Sequence, residues 1–191
     1  MFSPFTSPPV PRAASFQRPL YRLATEARDR SGATLMTMAA ALGIALVLFA
    51  TEATVGSSGA PAIVASMGAS AVILYALPDT PSARLWPLFG GHLLSAAMGV
   101  VAARAIHHPS LALAGAIFGA LLLMHVFGCV HPPGGATALT VVLGGSEMRQ
   151  LGFWFLAVPL LPNLIILSST TWLLRRLIER TSGTQFKRAS S

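Results

Sequence analysis

His131-Pro132-Pro133-Gly134-Gly135-Ala136-Thr137 interrupts a chain that otherwise consists of long apolar stretches. Two successive prolines lack backbone donors, so a helix arriving from residues 111–130 must break here. The apolar residues that follow, 136–145, reach only about half-way through a bilayer. On either side of this run lie stretches close to the roughly 20 residues that span hydrocarbon as a helix. Residues 34–50 stop at Glu52 and the Gly56-Ser57-Ser58-Gly59 turn, and 60–77 are closed by Pro78-Asp79-Thr80-Pro81. Residues 86–106 are closed by His107-His108-Pro109, and 151–174 carry Trp154 and Trp172 near their ends, with Pro159, Pro162 and Asn163 marking a kink. Gly and Pro clusters of this kind are strong turn signals.

Composition agrees. Of 191 residues 53% are hydrophobic and 10% charged, against about 25% charged in a soluble domain. Ten of the thirteen basic residues lie before Ala33 or after Leu174. A net charge of +7 distributed in this way suits anionic lipid headgroups rather than nucleic acid, whose binders array basic side chains over a folded, wet surface. The expected organisation is a basic cytoplasmic tail over 1–32, a transmembrane domain over 33–176 and a second basic tail over 177–191. The leader has no apolar core and is not a secretory signal; a retained cytoplasmic tail is expected, with an organelle transit peptide as the alternative. The single Cys129 reads as a packing residue.

Basic residues favour the cytoplasmic side, so both tails belong inside and the number of crossings is even. Five full-length spans plus the broken 131–145 element make six. The predicted fold is therefore an all-α polytopic transmembrane bundle of two inverted three-element halves divided at Pro109, each with a broken middle element. Interrupted helices at corresponding places in inverted halves point to a transporter binding site.

Three segments carry a specific resemblance. His131-Pro132-Pro133-Gly134-Gly135-Ala136-Thr137-Ala138, Ser66-Met67-Gly68-Ala69-Ser70-Ala71-Val72 and Gly90-Gly91-His92-Leu93-Leu94-Ser95 resemble the recurrent segments of the HPP family of integral membrane proteins. The resemblance implies four transmembrane helices, against the six crossings counted. Because plastid and cyanobacterial members are associated with nitrite transport, it also implies a carrier or channel for a small inorganic anion.

A nitrite-sized anion sheds its water inside hydrocarbon and needs donors in return. A half-helix opening at Gly134, Gly135 and Ala136 would offer backbone N–H groups and a positive dipole end, with the Thr137 hydroxyl beside them. Ser66, Gly68, Ala69 and Ser70 would form a second such surface from the first half. The alternative is that these glycines serve close helix packing, the reading preferred for Gly91, Ser95, Gly99, Gly115 and Gly119. His92, His125 and His131 fall in apolar stretches, where an imidazole faces the bundle interior or water. Each could hold a proton beside the anion or, neutral, bond a freed carbonyl. Asn163 could line the pathway or satisfy backbone exposed by Pro162.

No nucleophile elbow, zinc motif or membrane-embedded carboxylate pair is present, so neither an enzyme nor a bound metal or cofactor is expected; Glu52, Asp79 and Glu147 are assigned to loops. The alternative functions are a non-catalytic assembly subunit and a transporter of another small solute. Small-residue faces on the third and fourth spans suit a homodimer or packing within one chain. The expected location is a bacterial inner membrane, with a plastid envelope as the alternative.

Overall fold

The computed structural model describes residues 30–182, with the side chains of 34–56, 63–144, 148–177 and 180. Contacts divide the chain at Thr34. Of the first unit only residues 30–34, a helical turn, are described, and the packing and the site belong to the unit from Leu35 onward. The described elements are all helical: α1 (Arg30–Ala76), a 3-10 turn (Pro81–Ala83), α2 (Leu85–Ala105), α3 (Pro109–Val126), α4 (Pro132–Leu143), α5 (Gly145–Leu151), a π turn (Leu156–Leu160) and α6 (Leu161–Ser182). The expected tails lie outside the described residues up to 29 and beyond 182. Residues 177–182 of the expected C-terminal tail continue α6.

Among the described residues four stretches are long and apolar enough to cross a membrane: Thr34–Gly56, Leu85–Ala105, Pro109–Val126 and Leu156–Leu177. Five full-length spans were expected. The fifth, residues 60–77, falls in the second arm of α1, which is helical from beyond Gly56 to Ala76 and whose apolar portion with described side chains is Ile63–Ala76. The first span also runs further than 34–50. It continues through Glu52, which is helical and exposed rather than in a loop, to Gly56 at φ 74°, ψ 173°. Only glycine adopts that backbone region readily, so the two arms of α1 change direction at this residue. Glu147, also expected in a loop, lies within α5.

α3 ends four residues earlier than expected, for a readable reason. Gly128 takes φ 62°, its N–H bonds the His125 carbonyl at 3.2 Å, and the Cys129 N–H bonds the Met124 carbonyl at 2.9 Å. This pair of bonds is a Schellman closure. It turns the chain back so that Cys129 and His131 are both fully buried. Pro132 and Pro133 then occupy the first two positions of α4, where a missing N–H is tolerated. At 12 residues and 1.5 Å per residue, α4 is about 18 Å long.

Outward-facing positions carry large apolar side chains, among them Leu42, Phe49, Leu111, Phe118, Leu122 and Trp172, while Ser66, Ser70, His92, Ser95, His131, Thr137 and Asn163 are buried. Such a distribution suits hydrocarbon as solvent, and the chain is an integral membrane protein. Two apolar clusters hold the interior. Val47, Ile63, Met67, Leu88, Phe155, Leu160, Leu164 and Leu167 join both arms of α1 to α2 and α6. Ala102, Ala112, Ala116, Ala120, Met124, Cys129 and Ala138 join α2, α3 and α4. On α3 the buried face is alanine and glycine throughout its first three turns, which lets α2 approach closely.

Candidate functional site

A close backbone approach of α2 and α4 sets the site. A methyl group built on Gly91 of α2 would lie 2.6 Å from His131 Cβ, and one built on Gly134 of α4 would lie 2.6 Å from the Gly91 carbonyl oxygen. Gly99 makes the same kind of approach one level along, 2.7 Å from the Ala138 carbonyl. These glycines bring α2 and α4 backbone to backbone. As a result the His92 and His131 rings lie 5.0 Å apart between centroids.

Around the two rings a hydrogen-bonded chain closes. His131 Nδ1 lies 2.8 Å from the carbonyl of Ser82 in the 3-10 turn, and His131 Nε2 lies 2.9 Å from Ser70 Oγ. The same hydroxyl lies 2.8 Å from His92 Nε2, and His92 Nδ1 lies 2.7 Å from Thr137 Oγ1. Thr137 can donate to Ser66 Oγ at 3.1 Å, and Ser66 donates to the Ile63 carbonyl at 2.9 Å. Ser70 also lies 3.2 Å from the Ser66 carbonyl. All five side chains are at most 1% exposed.

The local sequence explains why these atoms meet. Ser66 and Ser70 are one helical turn apart, on one face of the Ile63–Ala76 arm. His92 sits about 10 Å along α2 from Leu85, roughly a third of the way rather than at its midpoint. His131 is the residue before α4, with extended backbone (φ −132°, ψ 100°) that points its ring back toward Ser82. Thr137 lies on the buried face of α4 with Gly134 and Ala138.

Of the expected site residues, Ser66, Ser70, His92, His131 and Thr137 converge. Gly68 and Ala69 fall on the other side of their arm: Ala69 is exposed, and a methyl on Gly68 would touch nothing within 4 Å. Ala136 is exposed and Gly135 half-buried beside Ile117. Gly134 packs on Gly91 and Ser95. The free amides expected at this helix start are scarce, because Pro132 and Pro133 carry no N–H and that of Gly134 bonds the His131 carbonyl at 2.8 Å. What remains is the dipole end and the side-chain donors. Asn163 lies elsewhere, donating from Nδ2 to Thr51 Oγ1 at 2.7 Å. His125 is exposed and bonds the Leu121 carbonyl of its own helix at 2.8 Å.

Sequence reasoning missed Ser82 and Thr51. Ser82 contributes only its carbonyl, for which no residue-type signal exists. Thr51 was hidden by placing the end of the first span too early. An open depression of about 410 Å³ lined by Thr54, Val55, Gln150, Leu151 and Trp154 contains none of the converging residues. Among the described residues no three His, Cys, Asp or Glu side chains gather as a metal site would require, so the two imidazoles are understood through their hydrogen bonds.

The family described as "HPP, transmembrane region" matches residues 25–183 of the chain. A transmembrane protein of Dictyostelium discoideum is 36% identical over 124 residues, covering 63% of this chain and 43% of that protein. A second transmembrane protein of the same organism is 36% identical over 120 residues, covering 61% of this chain and 37% of its own length. The chain thus aligns with less than half the length of either curated relative. No solved structure matches.

Proposed function

This chain belongs to the HPP transmembrane family, and from that premise and the buried cluster we propose that it is a transporter or channel for a small inorganic anion, nitrite being the substrate that the family resemblance suggests. One observation carries the reading. Five polar side chains from the second arm of α1, α2 and the start of α4 are buried together inside the bundle. Polar groups at such depth are expensive, and in membrane proteins they mark solute and proton pathways. The Ser66, Ser70 and Thr137 hydroxyls and the imidazole N–H groups supply donors that can replace the hydration of an anion. Their hydrogen-bond partners are neutral, so binding stays weak enough for release.

The second arm of α1 and the short α4 are the middle members of the two proposed inverted halves, which supports a translocation site where the halves meet. Both tails are placed on the cytoplasmic side, and the membrane is a bacterial inner membrane in this reading. A catalytic reading is less well supported. Ser70 and His92 have the spacing of a nucleophile and its base, but His92 Nδ1 meets the Thr137 hydroxyl where a hydrolytic triad places a carboxylate.

The test is nitrite uptake into liposomes holding the purified protein, with nitrate, formate and chloride as competitors. Saturable entry above protein-free liposomes is expected. Folded protein that admits no more nitrite than bare liposomes would favour another solute or a non-catalytic assembly role, in which Gly91 and Gly134 serve packing alone.

A further inference from the structure

Proton positions in the cluster are set by its outer end. A carbonyl only accepts, so His131 holds a proton on Nδ1 for Ser82 and, as a neutral ring, presents a bare Nε2. Ser70 has one proton, and its neighbours are two imidazole nitrogens at 2.8 and 2.9 Å and the Ser66 carbonyl, farther off at 3.2 Å. If it donates to His131 Nε2, His92 must carry its proton on Nε2 and present a bare Nδ1 to Thr137. Thr137 then donates to His92. The opposite polarity is equally well bonded once one proton is added: His131 Nε2 donates to Ser70, Ser70 to His92 Nε2, His92 Nδ1 to Thr137, and Thr137 to Ser66 Oγ, which is in place at 3.1 Å. Two complete hydrogen-bond patterns that differ by one proton define a relay.

We propose that Thr137, His92, Ser70 and His131 form a proton relay that moves one proton between the anion site and the Ser82 turn with each anion carried. The inference rests on the anion-transport reading and adds its coupling ion. The transfer balances without any oxidant or reductant. A proton leaving the conjugate acid of the anion bonds to Thr137 Oγ1, which passes its own to His92 Nδ1. His92 passes its Nε2 proton to Ser70, and Ser70 passes its own to His131 Nε2. Each hop breaks one O–H or N–H bond and forms one. The products are the free anion and a His131 imidazolium, whose Nδ1 proton faces the partly exposed Ser82 turn.

The groups that face the rings are Ser66 and Ser70 from α1, the Ser82 carbonyl from the 3-10 turn, Thr137 from α4, and each ring's partner histidine. The nearby Cys129 thiol packs against Gly90. Among the described residues the hydrogen-bond partners of both rings are hydroxyls and a carbonyl, so the proton itself is the variable charge at the site.

Initial nitrite uptake is measured in proteoliposomes, above protein-free vesicles, under a pH gradient or a potassium diffusion potential set with valinomycin, with an internal pH dye. An anion accompanied by one proton carries no net charge. Wild-type uptake should therefore rise with an acid exterior, up to about tenfold for one pH unit, and be indifferent to the potential. In Ser70→Ala, uptake should be slower, and what remains should follow the potential and ignore the pH gradient; Ser70→Thr, which keeps the hydroxyl, should restore the pH response. Wild-type uptake driven by potential and blind to pH would overturn the relay and leave anion transport standing. If no nitrite enters, the transport reading fails, and dye-detected proton entry that Ser70→Ala removes would still support the relay, whereas none would overturn it. Should Ser70→Ala not fold, ¹⁵N-histidine NMR of wild type decides: His131 protonated on Nδ1 with His92 protonated on Nε2 supports the relay, and any other neutral pairing overturns it.

Discussion

Thr137 is the residue whose hydroxyl faces both His92 and Ser66, and replacing it by valine keeps the shape while removing both bonds. A buried imidazole nitrogen left without its partner costs about 1–3 kcal/mol. Thr137→Val is therefore expected to lower thermal stability by that amount while keeping the helical circular dichroism. The Asn163–Thr51 pair makes a sharper test of polar burial, because Asn163 Oδ1 has no partner among the described residues. Thr51→Val alone, which leaves the amide wholly unpaired, should destabilise by about 1–3 kcal/mol. Thr51→Val with Asn163→Leu should recover most of that loss in the same melting experiment; a double variant as unstable as the single would mean that the amide has another role. At this scale the sequence was informative. Serine and histidine in apolar surroundings are visible by composition, and Ser66, Ser70, His92, His131 and Thr137 all converge. What could not be read was direction. Gly68, Ala69 and Ala136 stand beside site residues in sequence, but helical rotation carries them to another face.

The elements depend on where backbone is allowed to approach backbone. Gly91→Ala and Gly134→Ala each place a methyl 2.6 Å from atoms that cannot swing aside, His131 Cβ and the Gly91 carbonyl. Each should cost about 1–3 kcal/mol by overpacking and displace the two rings. Gly115→Ala meets only the tip of the Ile106 side chain and should be tolerated far better in the same thermal melts. Gly56→Ala tests the bend in α1. Its backbone region is nearly closed to alanine, so about 1–3 kcal/mol is expected, together with a change in the distance between spin labels on the two arms. The break at Pro132-Pro133 was legible because proline permits few alternatives. The end of α3 at Val126 was not, although Gly128 signalled it, because the apolar residues beyond hide a Schellman turn from any count of hydropathy. The expected free amides of α4 failed on a simple point: the same prolines that start the helix remove its donors.

For the whole molecule, composition and charge distribution sufficed to recognise an integral membrane bundle, and three short segments to recognise the family. The bend between the two arms of α1 rests on one glycine conformation at residue 56 that hydropathy does not encode. Function in this protein turns on a single claim, that the buried Ser/His/Thr cluster is where a small anion crosses. Its most direct test is initial nitrite uptake by liposomes containing wild type or Thr137→Val, both verified as folded. Saturable wild-type uptake reduced about tenfold or more by the loss of one buried donor, some 1.4 kcal/mol or more at the site, is the predicted result. Equal uptake by the two proteins would contradict the claim and place the anion route elsewhere in the bundle.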